Sequence, residues 1–285
     1  MKKLLVLSGK GGTGKTTVTS AFIAFEKARY YGDCDVEAPN LHLVTRQEAD
    51  GVRSSFIGSQ KAFVDEERCV DCGACMAHCR FHAVEKRGKA CVVNELLCEG
   101  CGVCRFVCPA EAVNMRADEA GELIRYEGRE IFSTARLKMG RGNSGKLVTE
   151  VKKVLSAYQT EDALAILDGP PGTGCPVIAS LSGVDLVLVV TEPTDSGLSD
   201  LKRLLKTISL SCVKAAVCVN KYDINPKQTA VILQYCEENK VPYVGNIPYD
   251  KRVLTAVNDG ACVADTQSPA RDAIYHIYKK IKELL

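Results

Sequence analysis

Two stretches of the chain hold residues whose types and spacing could do chemistry. The first is Gly9-Lys10-Gly11-Gly12-Thr13-Gly14-Lys15-Thr16-Thr17, which fits G-x-x-x-x-G-K-[ST]. Glycines there let backbone N–H groups close around phosphate oxygens, and a helix starting near Lys15 would point its positive dipole end at them. Lys15 would meet the β- and γ-phosphates of a nucleotide, and the Thr16 hydroxyl would bind Mg²⁺. The second stretch is built on cysteine. The 285 residues include 15 cysteines, and nine of them fall between Cys69 and Cys108. They form two runs, Cys69-x2-Cys72-x2-Cys75-x3-Cys79 and Cys98-x2-Cys101-x2-Cys104-x3-Cys108-Pro109. Three thiolates at such intervals wrap one face of an iron–sulfur cubane. Zinc is the alternative, but its sites are usually made from Cys-x2-Cys pairs rather than triplets.

The surrounding elements must position these residues. Residues 4–8 form an apolar run without alternation, as expected of a strand buried on both faces of a parallel sheet. A Gly-rich turn follows, then a predicted helix over 15–28 and a second short strand ending in Asp33-Cys34-Asp35. The range 63–115 is different: dense in Cys, poor in apolar runs, and near-repeating at an offset of 29 positions. It reads as a small module held by metal rather than by a core. Strands are then expected over 163–167, 185–190, 215–220 and 241–244, and helices over 147–158, 196–209, 226–239 and 270–285. This alternation argues for a doubly wound, mainly parallel α/β sheet. The phosphate-binding domain is therefore expected to be discontinuous, 1–62 plus 116–285, with 63–115 inserted. Residues 121–144 give no readable pattern.

Lys10 adds a resemblance. K-G-G-x-G-K-[ST] resembles the deviant Walker A loop of the MinD/ParA/nitrogenase iron protein class of P-loop ATPases. The resemblance implies an ATP-dependent sandwich homodimer, in which Lys10 reaches the partner's nucleotide and stabilises transition-state charge as an arginine finger does. Asp33-Cys34-Asp35 followed by Ala38-Pro39-Asn40-Leu41-His42 resembles the first switch of that class; of the two carboxylates, Asp35 is assigned to orient the attacking water. Asp168-Gly169-Pro170-Pro171-Gly172-Thr173-Gly174 resembles the Walker B and second-switch segment, which implies that Asp168 holds Mg²⁺ through water. Asn220-Lys221-Tyr222-Asp223 resembles the base-contacting position, and its letters also satisfy the N-K-x-D pattern of GTPases. The family resemblance favours adenine, with Asn220 and the segment Ile247-Pro248-Tyr249 near the base.

Both cysteine runs have the spacing of bacterial two-cluster ferredoxins. That resemblance implies two [4Fe–4S] clusters, the fourth cysteine of each run serving the other cluster. Cluster one would use Cys69, Cys72, Cys75 and Cys108; cluster two would use Cys98, Cys101, Cys104 and Cys79. Cys79 is followed by Arg80 instead of Pro, a change in a backbone device that leaves ligation intact and could raise the potential of cluster two slightly. Cys91 is expected to be an apolar filler. Cys175 follows the second switch, where the nitrogenase iron protein keeps one of its two bridging cysteines per subunit. No second cysteine sits at a matching place, so Cys175 is expected to be a buried structural residue. The C-terminal Cys-x-x-Cys of Mrp-type cluster carriers is missing. Cys212, Cys218, Cys236 and Cys262 are too dispersed to replace it. The whole chain resembles a prokaryotic group described as MinD-superfamily ATPases with an inserted ferredoxin domain.

Composition narrows the rest. With 46% apolar and 25% charged residues and a formal charge of +2, no basic field points to nucleic acid. No apolar run approaches the ~20 residues of a membrane span, and the N-terminal apolar stretch is too short for a signal peptide. A cytoplasmic protein is expected, since metal rather than disulfides suits so many cysteines in a long chain. In the last helix Ala270, Ala273, Ile274, Ile277, Ile281 and Leu284 trace one apolar face, expected to pack on the sheet rather than on a membrane. Three functions fit: a nucleotide-gated electron-transfer protein, an iron–sulfur or metallocofactor assembly ATPase acting on an apo-protein, and a MinD/ParA-like positioning ATPase with redox-sensing clusters.

Overall fold

The computed structural model describes residues 1–47, 50–158 and 163–285. The chain opens with β1 (Lys2–Ser8), α1 (Lys15–Glu26), β2 (Tyr30–Asp33), a 3-10 turn at Leu41–Leu43 and β3 (Val52–Val64). The cysteine-rich stretch carries α2 (Ala74–Ala77), β4 (Val84–Arg87), β5 (Ala90–Val93) and α3 (Val103–Phe106). Then come β6 (Val113–Glu127), β7 (Ile131–Leu137), α4 (Ser144–Ser156), β8 (Leu164–Pro171), α5 (Cys175–Leu181) and β9 (Leu186–Thr191). The chain ends with α6 (Asp195–Leu210), β10 (Lys214–Asn220), α7 (Pro226–Glu238), β11 (Tyr243–Ile247), α8 (Lys251–Asn258) and α9 (Pro269–Leu284).

Two compact units result. The first comprises Met1–Arg53, Leu123–Arg136 and Ser144–Leu285. Its strands follow the order β11-β10-β9-β1-β8-β2-β7, and each of these pairings is parallel. Residues Leu4 to Leu7 are wholly buried, as a central parallel strand requires. On one face Leu4, Val6, Ile166 and Leu188 pack with Val18 and Phe22 of α1 and Ile274, Ile277 and Ile281 of α9. On the other, Leu155 of α4 closes on Gly32 of β2, where a Cβ would lie 3.0 Å from its Cδ1. The apolar face of α9 therefore packs on the sheet, except for Leu284 near the helix end, which is exposed. Among the described residues, no helix is long and apolar enough to cross a membrane.

The parallel register has one consequence for chemistry. Asp33 pairs with Asp168 across β2 and β8, and Ser8 of β1 pairs with Pro171 of β8. Two carboxylates and the mouth of the Gly-rich turn therefore meet at the carboxyl ends of the strands, where open α/β sheets bind ligands.

The second unit comprises Ser54–Glu122 and Leu137–Asn143. Its two short helices flank an antiparallel β4–β5 hairpin, with Val84 opposite Val93. Its buried apolar cluster is small: Ala62, Ala83, Val84 and Val113 with Cys75, Cys91 and Cys98. The 29-residue near-repeat extends to the backbone. Asp71 and Gly100 have φ of 54° and 70°, Gly73 and Gly102 of 71° and 75°, and His82 and Glu111 both of 50°.

Several elements differ from the sequence expectation. The cysteine-rich range 63–115 lies within a unit of wider bounds. The extra residues belong largely to β3 and β6, long strands with many polar side chains and no buried run to betray them. The unreadable stretch 121–144 contains the end of β6 and β7. The last strand begins at Tyr243 rather than 241, because Pro242 has no N–H for the ladder and its carbonyl instead receives the Val217 N–H at 2.8 Å. Helices α5 and α8, seven and eight residues long, were too short for a periodic signal.

Truncating Ile277 to Ala, which removes the side chain filling the space beside Gly245, should cost about 2–5 kcal/mol of stability in chemical denaturation. Lys280→Ala on the exposed side of the same helix should change it by no more than about 0.5 kcal/mol.

Candidate functional site

The Gly-rich turn adopts backbone angles that only glycine takes without strain. Gly12 and Gly14 have φ of +79° and +91°, and a Cβ at Gly11 or Gly12 would meet nothing within 4 Å. The turn is thus an open cradle whose N–H groups lie ahead of α1. Thr13 inside it is buried, and its hydroxyl has no hydrogen-bond partner among the described residues. A cavity of about 640 Å³ opens from the cradle, lined on one side by Gly11, Gly12, Gly14, Lys15, Thr16 and Thr17. Asp35, Asn40, Asn220, Lys221, Pro248 and Tyr249 line it elsewhere. The sequence-expected phosphate, switch and base segments therefore converge on one cavity.

Asp168 is the centre of the polar network. It is wholly buried and receives the Lys15 ammonium at 2.8 Å and the hydroxyls of Thr16 and Thr19, each at 2.7 Å. Burial alone would push the Lys15 ammonium down, but the carboxylates of Asp168, Asp33 and Asp35 outweigh it and hold the pKa above its ordinary value. Asn40 Oδ1 lies 3.1 Å from the same Thr16 hydroxyl, an alternative acceptor for its one proton. Thr16 and Asp168 thus present a hydroxyl and a carboxylate side by side, a hard oxygen set suited to Mg²⁺.

Asp33 and Asp35 have different surroundings. Asp33 is wholly buried and accepts N–H bonds from Asp35 at 3.0 Å, Asn40 at 2.9 Å and Leu41 at 3.0 Å. It pins the loop, and burial together with the nearby Asp168 pushes its carboxyl up to about 7. Asp35 lines the cavity, and burial raises its pKa as well.

Lys10 folds back within its own chain. Its ammonium lies 2.5 Å from Glu192 Oε1, with Ser196 Oγ at 3.0 Å and Thr194 Oγ1 at 3.5 Å. Asn220 braces the cradle: its Nδ2 donates to the Thr13 carbonyl at 2.8 Å and its Oδ1 accepts the Lys221 N–H at 2.9 Å. Asp223 accepts the Tyr249 N–H at 2.8 Å and so fixes the 247–249 segment. Sequence reasoning missed Thr19, Asn40 and Glu192 as site residues. Thr19 could have been found, since it lies one helical turn after Lys15 and so faces the same way. The position of Glu192 carried no such signal.

In the second unit the eight motif cysteines divide between two small cavities. One is lined by Cys69, Cys72, Cys75 and Cys108 with Val64, Val70 and Val113; Cys91 also borders it. The other is lined by Cys79, Cys98, Cys101 and Cys104 with Ala62, Val84 and Val93. The fourth cysteine of each run thus faces the first three of the other. Cys79 Sγ accepts the Ala83 N–H at 3.4 Å, and Cys108 Sγ accepts the Ala112 N–H at 3.3 Å. Among the described residues, no group of three or more His, Cys, Asp or Glu is placed to hold a metal ion. Cys91 is buried, as a filler should be. Cys175 departs from expectation: it is exposed, because it opens α5 where the helix emerges from the 172–174 loop.

Gly14→Ala tests the cradle. Its Cβ would lie 2.3 Å from Asn220 Nδ2 at a φ of +91°. Nucleotide affinity measured by calorimetry should fall by at least about tenfold, matching strain of roughly 1–3 kcal/mol, while the far-ultraviolet circular dichroism spectrum stays native.

The family description "CobQ/CobB/MinD/ParA nucleotide binding domain" matches residues 4–263. An uncharacterized protein of Methanocaldococcus jannaschii is 31% identical over 99% of this chain and 97% of its own length. A cytosolic Fe-S cluster assembly factor, the Nubp1 homolog of Drosophila grimshawi, is 22% identical over 98% of this chain and 81% of its own. Among solved structures, the cell division ATPase MinD of Pyrococcus furiosus aligns with a TM-score of 0.59 at 18% identity, covering 100% of this chain and 99% of that one. MinD of Pyrococcus horikoshii, complexed with Mg-ADP, aligns at 0.58 and 15% identity, covering 99% and 96%. The chain therefore belongs to the CobQ/CobB/MinD/ParA nucleotide-binding family, and it is a P-loop ATPase of the MinD/ParA type.

Proposed function

We propose that this ATPase carries an inserted two-cluster ferredoxin module, spanning about 63–115, and that its nucleotide state gates electron transfer through that module to a redox partner. The observation that carries the proposal is the crossed division of the eight cysteines into two sets of four, Cys69, Cys72, Cys75 with Cys108 and Cys98, Cys101, Cys104 with Cys79. The donor set fits [4Fe–4S] clusters: four thiols per cavity, apolar walls, and N–H donors aimed at sulfur that favour the thiolate. Bound there, the clusters would supply one-electron transfer. The small buried core of the unit supports a fold that depends on them.

In the ATPase, Gly11, Gly12, Thr13, Gly14 and Thr17 would cradle ATP, and Lys15 would neutralise its β- and γ-phosphates. Thr16 and Asp168 would hold Mg²⁺. Asp35, which lines the cavity while three N–H groups hold Asp33, would orient the attacking water. Asn220 and Pro248 would border the base. On formation of a homodimer Lys10 would leave Glu192 and reach the nucleotide of the partner copy. ATP binding would close the dimer and hydrolysis reopen it. Reduced thiols and clusters would suit the cytoplasm. A second reading, iron–sulfur or metallocofactor assembly on an apo-protein, is favoured by the near full-length similarity to the Drosophila assembly factor.

Cysteine variants test the module. Anaerobically reconstituted protein should hold about eight iron atoms per chain. Cys79→Ser should perturb the same paramagnetic centre as Cys98→Ser, and Cys108→Ser the same centre as Cys69→Ser. Cys79→Ser and Cys69→Ser acting on one centre would overturn the crossed assignment. Rapid cluster transfer to an apo-ferredoxin would select the assembly reading over electron transfer.

A further inference from the structure

Helix α4 starts at Ser144, directly after Leu137–Asn143, the last stretch of the cysteine-rich unit. Its buried face of Leu147, Val148, Val151 and Leu155 ties it into the ATPase core. It lies against α5, the helix that emerges from the second-switch loop. Two contacts fix their register. At Gly145 a Cβ would lie 3.3 Å from the Cys175 carbonyl oxygen and 3.6 Å from Ala179 Cβ, so the first turns of the two helices touch. Two turns later Lys152 enters the interior. Its ammonium donates to the carbonyls of Ala179 at 3.1 Å and Ser180 at 2.7 Å, and to that of Ser182.

These carbonyls belong to the end of α5, where backbone acceptors have no helical partner and the dipole is negative. Water or a glycine cap could have satisfied them without burying a charge. Here a cation is buried instead, and burial pushes the Lys152 ammonium down to about 8 against the favourable influence of Cys34. The same region reaches the first switch. Leu155 of α4 packs on Gly32, and the Cys34 N–H donates to the Asp168 carbonyl at 2.7 Å.

We infer that Lys152 is a positioning residue that makes α4 and α5 move as one body, so that α4 passes displacement of the second-switch loop to the chain leading from the cysteine-rich unit. The inference rests on the proposed coupling of nucleotide state to that unit. It differs from an ordinary packing role because it makes Lys152 dispensable for ATP chemistry and necessary for communication.

The test uses the full, anaerobically reconstituted chain and hydrogen exchange, with a non-hydrolysable ATP analogue compared against ADP. In the wild type, exchange at 137–156 and in the cysteine-rich unit should differ between the two nucleotides. Lys152→Met keeps most of the length of the side chain and loses the donors. It should keep ATPase kcat within about threefold, while the nucleotide-dependent difference at 137–146 and in the cysteine-rich unit disappears. Lys152→Arg, which keeps the cation, should restore most of that difference. Gly145→Ala, at the partly exposed other end of the contact, should shrink it independently even if Lys152→Met does not fold. A wild-type-sized difference in Lys152→Met or in Gly145→Ala would overturn the relay and leave the coupling intact. A wild type with no difference in the cysteine-rich unit would overturn the coupling itself.

Discussion

A buried carboxylate at the end of a parallel strand needs positive or donor groups on every side, and Asp168 draws them from a single stretch of chain. Lys15, Thr16 and Thr19 occupy little more than one turn of α1, and all three reach it. That turn can do so only because β1 delivers the Gly-rich loop beside β8. Asp33, one strand over and level with Asp168, gathers the N–H groups of Asp35, Asn40 and Leu41. The Gly-rich cradle, the Thr16–Asp168 pair and the 33–42 segment are thus fixed by the register of three parallel strands. Burial, with the Asp168 carboxylate nearby, raises the pKa of Asp33 and Asp35, and a cation is the natural remedy. Lys15 supplies one positive charge, and Mg²⁺ would supply more.

The cysteine-rich unit obeys a different constraint. Its apolar cluster is small and includes cysteines, so burial alone contributes little to its fold. Backbone turns with positive φ, repeated at the same offset as the cysteines, aim thiols from both halves into shared cavities. Such a geometry suits groups that bridge the halves. It also explains why the fourth cysteine of each run faces the opposite set: each run folds back past its own short helix before that cysteine is reached.

Much of this was legible in the residue string. The Gly-Lys loop, the buried strand runs and the cysteine spacings carry their own signals, because each requires a special backbone or a special donor. Asp35 could be separated from Asp33 only by analogy; the structure separates them physically, through three N–H bonds to one and cavity exposure of the other. The strands β3 and β6 were invisible because many of their residues are polar, and the seven residues of α5 were too few for a period. The expectation that Cys175 is buried failed because burial was inferred from residue type, whereas the position at the mouth of a loop decided it. The Lys10–Glu192 pair was beyond sequence reasoning, since it joins residues 182 positions apart through a loop after β9.

If nucleotide and clusters share one conformational equilibrium, each must shift the other by the same free energy. An anaerobic potentiometric titration, with and without Mg²⁺ and a non-hydrolysable ATP analogue, reads that energy directly. A tenfold coupling moves a one-electron midpoint by about 59 mV. A nucleotide-dependent shift of at least tens of millivolts in one cluster is the expected result. Identical midpoints in both conditions, with nucleotide shown to be bound, would contradict the coupling.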